Sequence, residues 1–274
     1  MKGLLELAAA SIIGRKHLQT YQNNQDAYYS ISNDSATIAI VCDGCSSGQH
    51  SEVGAKLGAR LIAEAIAHYL PSNSTSIDTA FWEQVTPEVV KQLQQIAEML
   101  AGVDSLPLIV NDYFLFTIVG AIITPLETVI FSVGDGVIAL NNELKIIGEK
   151  YHNQPPYLAY HLCGHPEWAA IEIEYQLPTE TVESILIGTD GVKDLIGAAH
   201  KLLPGKTETV GSIAQFWQQD RYFKNPDMIR RRLCLMNQNI NSPNWKKQQI
   251  DKQVGLLPDD TTLIVMRKKL IHNC

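Results

Sequence analysis

Basic residues are in short supply in this 274-residue sequence, which has 22 Lys and Arg against 29 Asp and Glu and a formal net charge of −7. A nucleic-acid binder needs a basic face, so the balance argues against that class. Long apolar runs are missing as well. The longest, Phe114 to Ile123, is about half of the ~20 residues that span a bilayer. Cysteine is sparse. Cys42, Cys45, Cys163, Cys234 and Cys274 are odd in number and scattered, which suits a reducing compartment better than a disulfide framework. No internal repeat and no low-complexity tract is present. A cytoplasmic monomer with neither a nucleic-acid nor a membrane partner is expected.

What is present is core-forming material. Hydrophobic residues make up 45% of the chain, enough for one large domain over residues 1–274. The start, Lys2 followed by Gly3 to Ala10, has the outline of a short signal peptide. Glu6 interrupts it, and the apolar character runs past the Ala-rich stretch, so a buried first strand is expected. Thr37–Cys42 is an apolar, β-branched run that reads as a buried strand. From Ser51 to Leu70 the period changes. Val53, Leu57, Leu61, Ala65 and Tyr69 recur every four residues, with Ile62 and Ile66 beside them, which predicts an amphipathic helix. After Pro71 and a polar linker, Ser72–Ser76, a second helix is predicted. Its apolar face is Phe81, Val85, Val89, Leu93, Ile96 and Leu100, and Gly102 is its terminator.

The centre is a series of short β-type runs: Phe114–Ile123, Thr128–Val133, Val137–Leu140 and Leu144–Ile147, connected as in an antiparallel meander. Ile171–Tyr175 and Ser184–Ile187 add two strands. Helices are predicted near Val192–Ala199, Ile213–Gln219 and Asp227–Gln238, then a last strand at Thr261–Met266. Lys201–Gly211 and Asn237–Gln253 read as surface excursions. The blocks describe an α+β fold with helices outside a sheet sandwich.

Acidic residues gather at strand ends. They are Asp43 in Val41-Cys42-Asp43-Gly44, Asp135 in Gly134-Asp135-Gly136, Asp190 in Gly188-Thr189-Asp190-Gly191, and Asp259 in Pro258-Asp259-Asp260-Thr261-Thr262. Asp26, in Gln25-Asp26-Ala27, precedes a further strand-like start. Taken singly, each is a turn signal or a helix cap. Taken together, five carboxylates on one rim repel one another, and hard divalent cations with oxygen ligands would give them a reason to converge.

These motifs, in this order, resemble the metal-dependent protein phosphatases of type 2C, in their compact bacterial branch. The resemblance implies a four-layer α-β-β-α sandwich with two central, mainly antiparallel sheets. It implies hydrolysis of phosphoserine or phosphothreonine in a protein substrate, by water activated between Mg²⁺ or Mn²⁺ ions. By resemblance, Asp43 would bridge two cations and the Gly44 carbonyl would ligate one. Asp190 and Asp259 would complete the other shell, Asp26 would orient water, and Asp135 would help hold a third, weaker cation beside Asp190. Three departures stand out. Gln25 replaces a frequent Glu, Cys45 replaces a frequent His, and Gly134-Asp135-Gly136 stands where many relatives have Gly-Asp-Ser. Gln25 and Cys45 keep open an alternative of another class, a catalytically weak or inactive phosphatase-like binding module. A hydrolase for small phosphoesters is a third possibility.

Other features carry less. Cys42-x-x-Cys45 with His50 hints at zinc or redox chemistry but has no second pair. Arg15, Lys16 and His17 could meet a substrate phosphate. Arg230-Arg231-Arg232 reads as a solvated helix face that could serve a partner. Ser51 reads as the start of a helix, with an N-cap role.

Overall fold

Strands buried on both faces read as continuous apolar runs, and in this chain the two faces of each strand feed different cores. The computed structural model describes residues 5–70, 77–102, 105–151 and 154–269. The chain order is β1 (Leu5–Ile12), α1 (Arg15–Thr20), β2 (Ala27–Ser32), β3 (Thr37–Gly44), α2 (Ser51–Tyr69), α3 (Thr79–Ala101) and α4 (Leu106–Ile109). Then come β4 (Phe116–Ile123), β5 (Glu127–Val133), β6 (Gly136–Leu140), β7 (Glu143–Ile147), β8 (Glu172–Pro178) and β9 (Ser184–Gly188). The chain finishes with α5 (Gly191–Gly197), α6 (Gln215–Gln218), α7 (Arg221–Lys224), α8 (Met228–Met236), β10 (Ile240–Asn244), β11 (Gln249–Gln253) and β12 (Thr261–Lys268).

Two five-stranded antiparallel sheets form, in the orders β1-β12-β9-β6-β7 and β2-β3-β4-β5-β8. Ala39, Val41, Val119, Ala121, Ile138, Ile187 and Ile264 point into the space between them. The alternate residues Ile38, Ile40, Ile118 and Ile122 face α2 and α3. Leu186, Leu263 and Val265 face α5 and α8. Three cores between four layers make the α-β-β-α sandwich. Among the described residues, no helix is long and apolar enough to cross a membrane.

The expected first strand is β1, paired along its length with β12. The expected linker at Ser72–Ser76 lies outside the described residues. The helices sit where periodicity put them, but their buried stripes differ. In α2 the buried face is Gly54, Ala55, Gly58, Ala59, Ile62, Ala63 and Ile66, while Val53 is exposed. Small residues let the helix approach closely. A Cβ on Gly58 would stand 2.2 Å from the Phe116 ring. In α3 the stripe follows strict four-residue steps through Leu93, Ala97 and Ala101, which leaves Leu100 exposed. Gly102 ends that helix with φ 53°.

The central meander needs correction. β5 belongs to one sheet and β6 to the other, so Gly134-Asp135-Gly136 is a crossing between sheets and not a hairpin turn. Gly134 (φ 97°) and Gly136 (φ 155°) supply the positive φ values that let the chain cross. The excursion Asn237–Gln253 contains an ordered two-stranded hairpin, β10–β11.

Candidate active site

The rim where β3 and β9 end and β12 begins carries a cleft of about 420 Å³. Asp43, Gly44, Asp135, Asp190 and Asp259 line it, with Lys16, His17, Gln25, Cys45 and Tyr157. Four of the five aspartates singled out in the sequence are thus brought together. Asp43 arrives from one sheet, opposite Thr117 in β4. Asp190 follows β9 and Asp259 precedes β12, both in the other sheet. Asp135 comes from the crossing between them.

Asp26 does not line this cleft. It lies behind, one residue before Ala27, which pairs with Cys42 of β3. It is buried, and Thr189 Oγ1 donates to its Oδ2 at 2.7 Å. Its Oδ1 is buried with no hydrogen-bond partner.

The capping role open to Asp190 is not used. Asp190 occupies the N-cap position of α5, yet its side chain makes no capping hydrogen bond. Asp43 does not cap α2 either, because His50 holds that position. Ser51 starts the helix as expected, but it is not the cap, and its buried Oγ has no partner. The turn after β9 is set by Gly191. A Cβ there would fall 1.8 Å from the Asp260 carbonyl oxygen, so only glycine lets the turn sit against the Asp259–Asp260 segment.

The electrostatics are those of crowded anions. Burial pushes the Asp43 carboxyl well above the ordinary range, and Asp26 and Asp190 push it further. Asp190 is raised by burial and by Asp135, and Asp26 by burial with added repulsion from Asp260. Asp135 has a cationic neighbour, with Lys193 Nζ 3.3 Å from its Oδ2.

Among the described residues, no three His, Cys, Asp or Glu side chains form a ready-made metal cage. The donor set nevertheless fits Mg²⁺ or Mn²⁺. All the donors are oxygens, and such ions keep several waters and take one or two carboxylates each. The crowding of Asp43, Asp135 and Asp190 marks where added positive charge is wanted.

Several site residues were not evident from the sequence. Asp260 is 3% exposed. It accepts the backbone N–H groups of Gly14 and Gln25, each at 2.6 Å, and His17 Nδ1 lies 2.9 Å away. It ties the β1–α1 turn, the Asp26 loop and the entry of β12 together. Thr189, Lys193 and Tyr157 were also missed. The basic trio divides. Lys16 and His17 line the cleft, while Arg15 Nε donates to the Gly255 carbonyl at 3.1 Å. Cys42 is fully buried, and Cys45 lines the cleft with Sγ 3.1 Å from Ser47 Oγ. Hydrogen bonds from Ser47 and Tyr157 outweigh partial burial and lower the Cys45 thiol. Gln25 is buried with its Oε1 unpartnered.

The Arg230-Arg231-Arg232 run also divides. Arg230 and Arg231 share Asp227, whereas Arg232 is buried against Glu208 and the Val210 carbonyl.

The solved structures most like this one include the serine/threonine phosphatase Stp1 from Staphylococcus aureus, at 14% identity and a TM-score of 0.53, covering 97% of this chain and 95% of that one. PppA from Pseudomonas aeruginosa matches at 15% identity and a TM-score of 0.53, covering 97% and 99%. The catalytic domain of the phosphatase PstP, in complex with two manganese ions, matches at 15% identity and a TM-score of 0.50, covering 96% and 97%. No curated protein matches the sequence significantly. At these identities the structures establish the fold. The sequence itself matches the model of the protein phosphatase 2C family over residues 13–224, and the chain belongs to that family.

Proposed function

We propose that this chain is a metal-dependent phosphoprotein phosphatase acting on phosphoserine and phosphothreonine. The observation that carries this reading is the convergence of Asp43, Asp135, Asp190 and Asp259 on one cleft from both sheets and the crossing between them. Asp43, the Gly44 carbonyl, Asp190 and Asp259 would hold two Mg²⁺ or Mn²⁺ ions, with Asp135 contributing to a third. Bound there, such ions supply Lewis acidity toward the phosphoryl oxygens and a strong oxygen nucleophile at neutral pH.

The chain's own groups do the rest. Lys16 at the mouth of the cleft offers the phosphate a point charge. Asp26, held at Oδ2 by Thr189, keeps its free Oδ1 as a buried proton acceptor behind Asp43. Asp260 fixes the loops that carry Gly14 and Gln25. Cys45 and Tyr157 line the same cleft and would be candidates to meet the departing alcohol. Support for the activity comes from family membership and from the donor set.

The test is hydrolysis of an aryl phosphate and of a phosphothreonine peptide, with chelator and with added Mn²⁺ or Mg²⁺. Turnover that appears only with metal is the expected result. Turnover unaffected by chelation, or none on either substrate at any metal concentration, would overturn the reading.

A further inference from the structure

Charge is unevenly distributed along the chain. Residues 201–253 hold ten of the 22 Lys and Arg but only four of the 29 Asp and Glu. Most of those acids are already committed. Glu208 pairs with Arg232, Asp220 with Lys224 and Arg267, and Asp227 with both Arg230 and Arg231. Asp251 accepts from the amides of Asn244 and Gln249. Among the described residues, Lys246, Lys247 and Lys252 have no acidic partner.

Those three lysines sit on the β10–β11 hairpin, whose loop begins with Trp245, 86% exposed. Ile250 is 60% exposed and pairs across the hairpin with Pro243. Lysine and proline on an exposed strand are a normal defence against edge pairing. An exposed tryptophan and isoleucine beside them are not, because a two-stranded hairpin in water gains nothing from displaying them. An aromatic side chain flanked by unpaired cations is a recognition surface.

Its position says what it recognises. The base of the hairpin is tied down by Gly205 N to Gln253 Oε1 at 2.7 Å and by Gly255 N to Asn239 Oδ1 at 2.9 Å. Arg15 Nε holds the Gly255 carbonyl, and Lys16 N the Pro258 carbonyl. Lys16 and Asp259 both line the cleft. The foot of the hairpin is therefore fastened to the short segment that leads into Asp259 at the cleft. Five residues per strand make it about 17 Å long at ~3.4 Å per residue.

We propose that this hairpin is a docking arm for an acidic stretch of the phosphoprotein substrate, engaged through Trp245, Lys246, Lys247 and Lys252 while the phosphorylated residue occupies the cleft. The proposal rests on the phosphatase reading. A flat anionic membrane fits less well, since the arm's foot leads directly to the carboxylates of the cleft, which repel an anionic surface. A flexible peptide avoids them and places only its phosphate there. The arm's length sets the acidic run about five to ten residues from the phosphorylated position.

The experiment compares two phosphothreonine peptides, one with four Asp or Glu residues six to ten positions away and one with Ser in their place, together with an aryl phosphate. The wild type is expected to show a KM at least fivefold lower for the acidic peptide, an advantage that shrinks as salt is added. A variant carrying Trp245→Ala with Lys246→Gln, Lys247→Gln and Lys252→Gln should lose that advantage. Its kcat, and its aryl phosphate hydrolysis, should not change. Equal KM values in the wild type, or an unchanged preference in the variant, would overturn the arm. So would wild-type binding to phosphatidylglycerol vesicles that the variant loses while its peptide KM stays the same. Failure to hydrolyse any substrate would sink the phosphatase reading instead. Binding of the same labelled peptides, read by anisotropy, would then decide the arm by itself.

Discussion

Thr189 and Asp26 lie 163 residues apart in sequence and meet at 2.7 Å, Oγ1 to Oδ2, behind the cleft. The same hydroxyl oxygen accepts the Thr262 N–H at 3.1 Å. One threonine thus joins the Asp26 loop, the end of β9 and the start of β12. In Thr189→Val the hydroxyl is lost, and Asp26 keeps a proton to higher pH. The acidic limb of the kcat/KM profile with saturating Mn²⁺ should move up in pH, and Thr189→Ser should restore it. An unchanged profile in the valine variant would show that Asp26 ionisation does not limit turnover.

Asp43 is the carboxylate that Asp26 and Asp190 both press upon. Asp43→Asn should lower metal-dependent turnover by roughly 10²-fold or more, the scale found when a preorganised electrostatic group is removed. Added Mn²⁺ should not restore it. Wild-type turnover across a metal titration would remove Asp43 from the site.

The crowded carboxyls also predict how the metal-free protein responds to acid. Asp26, Asp43 and Asp190 are all raised by burial and then by neighbouring acids. A carboxyl raised in the fold costs stability above its folded pKa, and that cost disappears as pH falls toward the unfolded value. Metal-free protein should therefore melt higher at about pH 5 than at about pH 7. Saturating Mn²⁺ should flatten the trend. Asp190→Asn should raise the metal-free Tm by about 2–4 °C at neutral pH and weaken the response to Mn²⁺. Calorimetric scans across pH, with and without Mn²⁺, check all three outcomes.

Lys193 competes for Asp135, 3.3 Å away. Removing that charge in Lys193→Met should tighten the weakest cation site, whereas Asp135→Ala should abolish it and leave the two stronger sites. Calorimetric Mn²⁺ titration would show the opposing changes. Identical isotherms in both variants would leave Asp135 without a metal role.

Asp259 and Asp260 are adjacent and should behave oppositely. Asp260→Ala strands two buried N–H groups, each worth about 1–3 kcal/mol when left unpaired, so urea denaturation should show a large loss. Asp259→Ala should unfold near the wild-type midpoint and lose Mn²⁺ affinity. Similar stability losses in both would contradict this division.

Much of the frame was legible because burial on two faces leaves uninterrupted apolar runs such as Thr37–Cys42 and Phe116–Ile123. The aspartates were legible because each follows or precedes such a run. What escaped has a physical reason in each case. The buried face of α2 is built from glycine and alanine, which carry little periodic signal beside Val53 and Leu57. The passage from β5 to β6 changes sheet in two residues, and a Gly-Asp-Gly sequence looks the same in a hairpin. α1 is six residues long and mostly polar, so the helix left no periodic signal, although its Lys16 and His17 stood out as able to meet a phosphate. Asp260 could not be told from Asp259, since which neighbour points inward depends on the segments that fold against it. Gln25 and Cys45 are two of the family departures, and both stand at the cleft as placed by their motifs.

Asp43 belongs to one sheet, while Asp190 and Asp259 belong to the other, and between the sheets lies a layer of Ala39, Ala121, Val41, Val119 and Ile264. That layer acts as a spacer gauge. A single added methylene in it would alter the gap across which the carboxylates face each other, without touching any of them. Ions held from both sides would in turn rivet one sheet to the other. The thickness of an apolar seam is thus a tolerance of the carboxylate cleft, and swapping Ala121 for Val would be felt at the rim as a change of pitch.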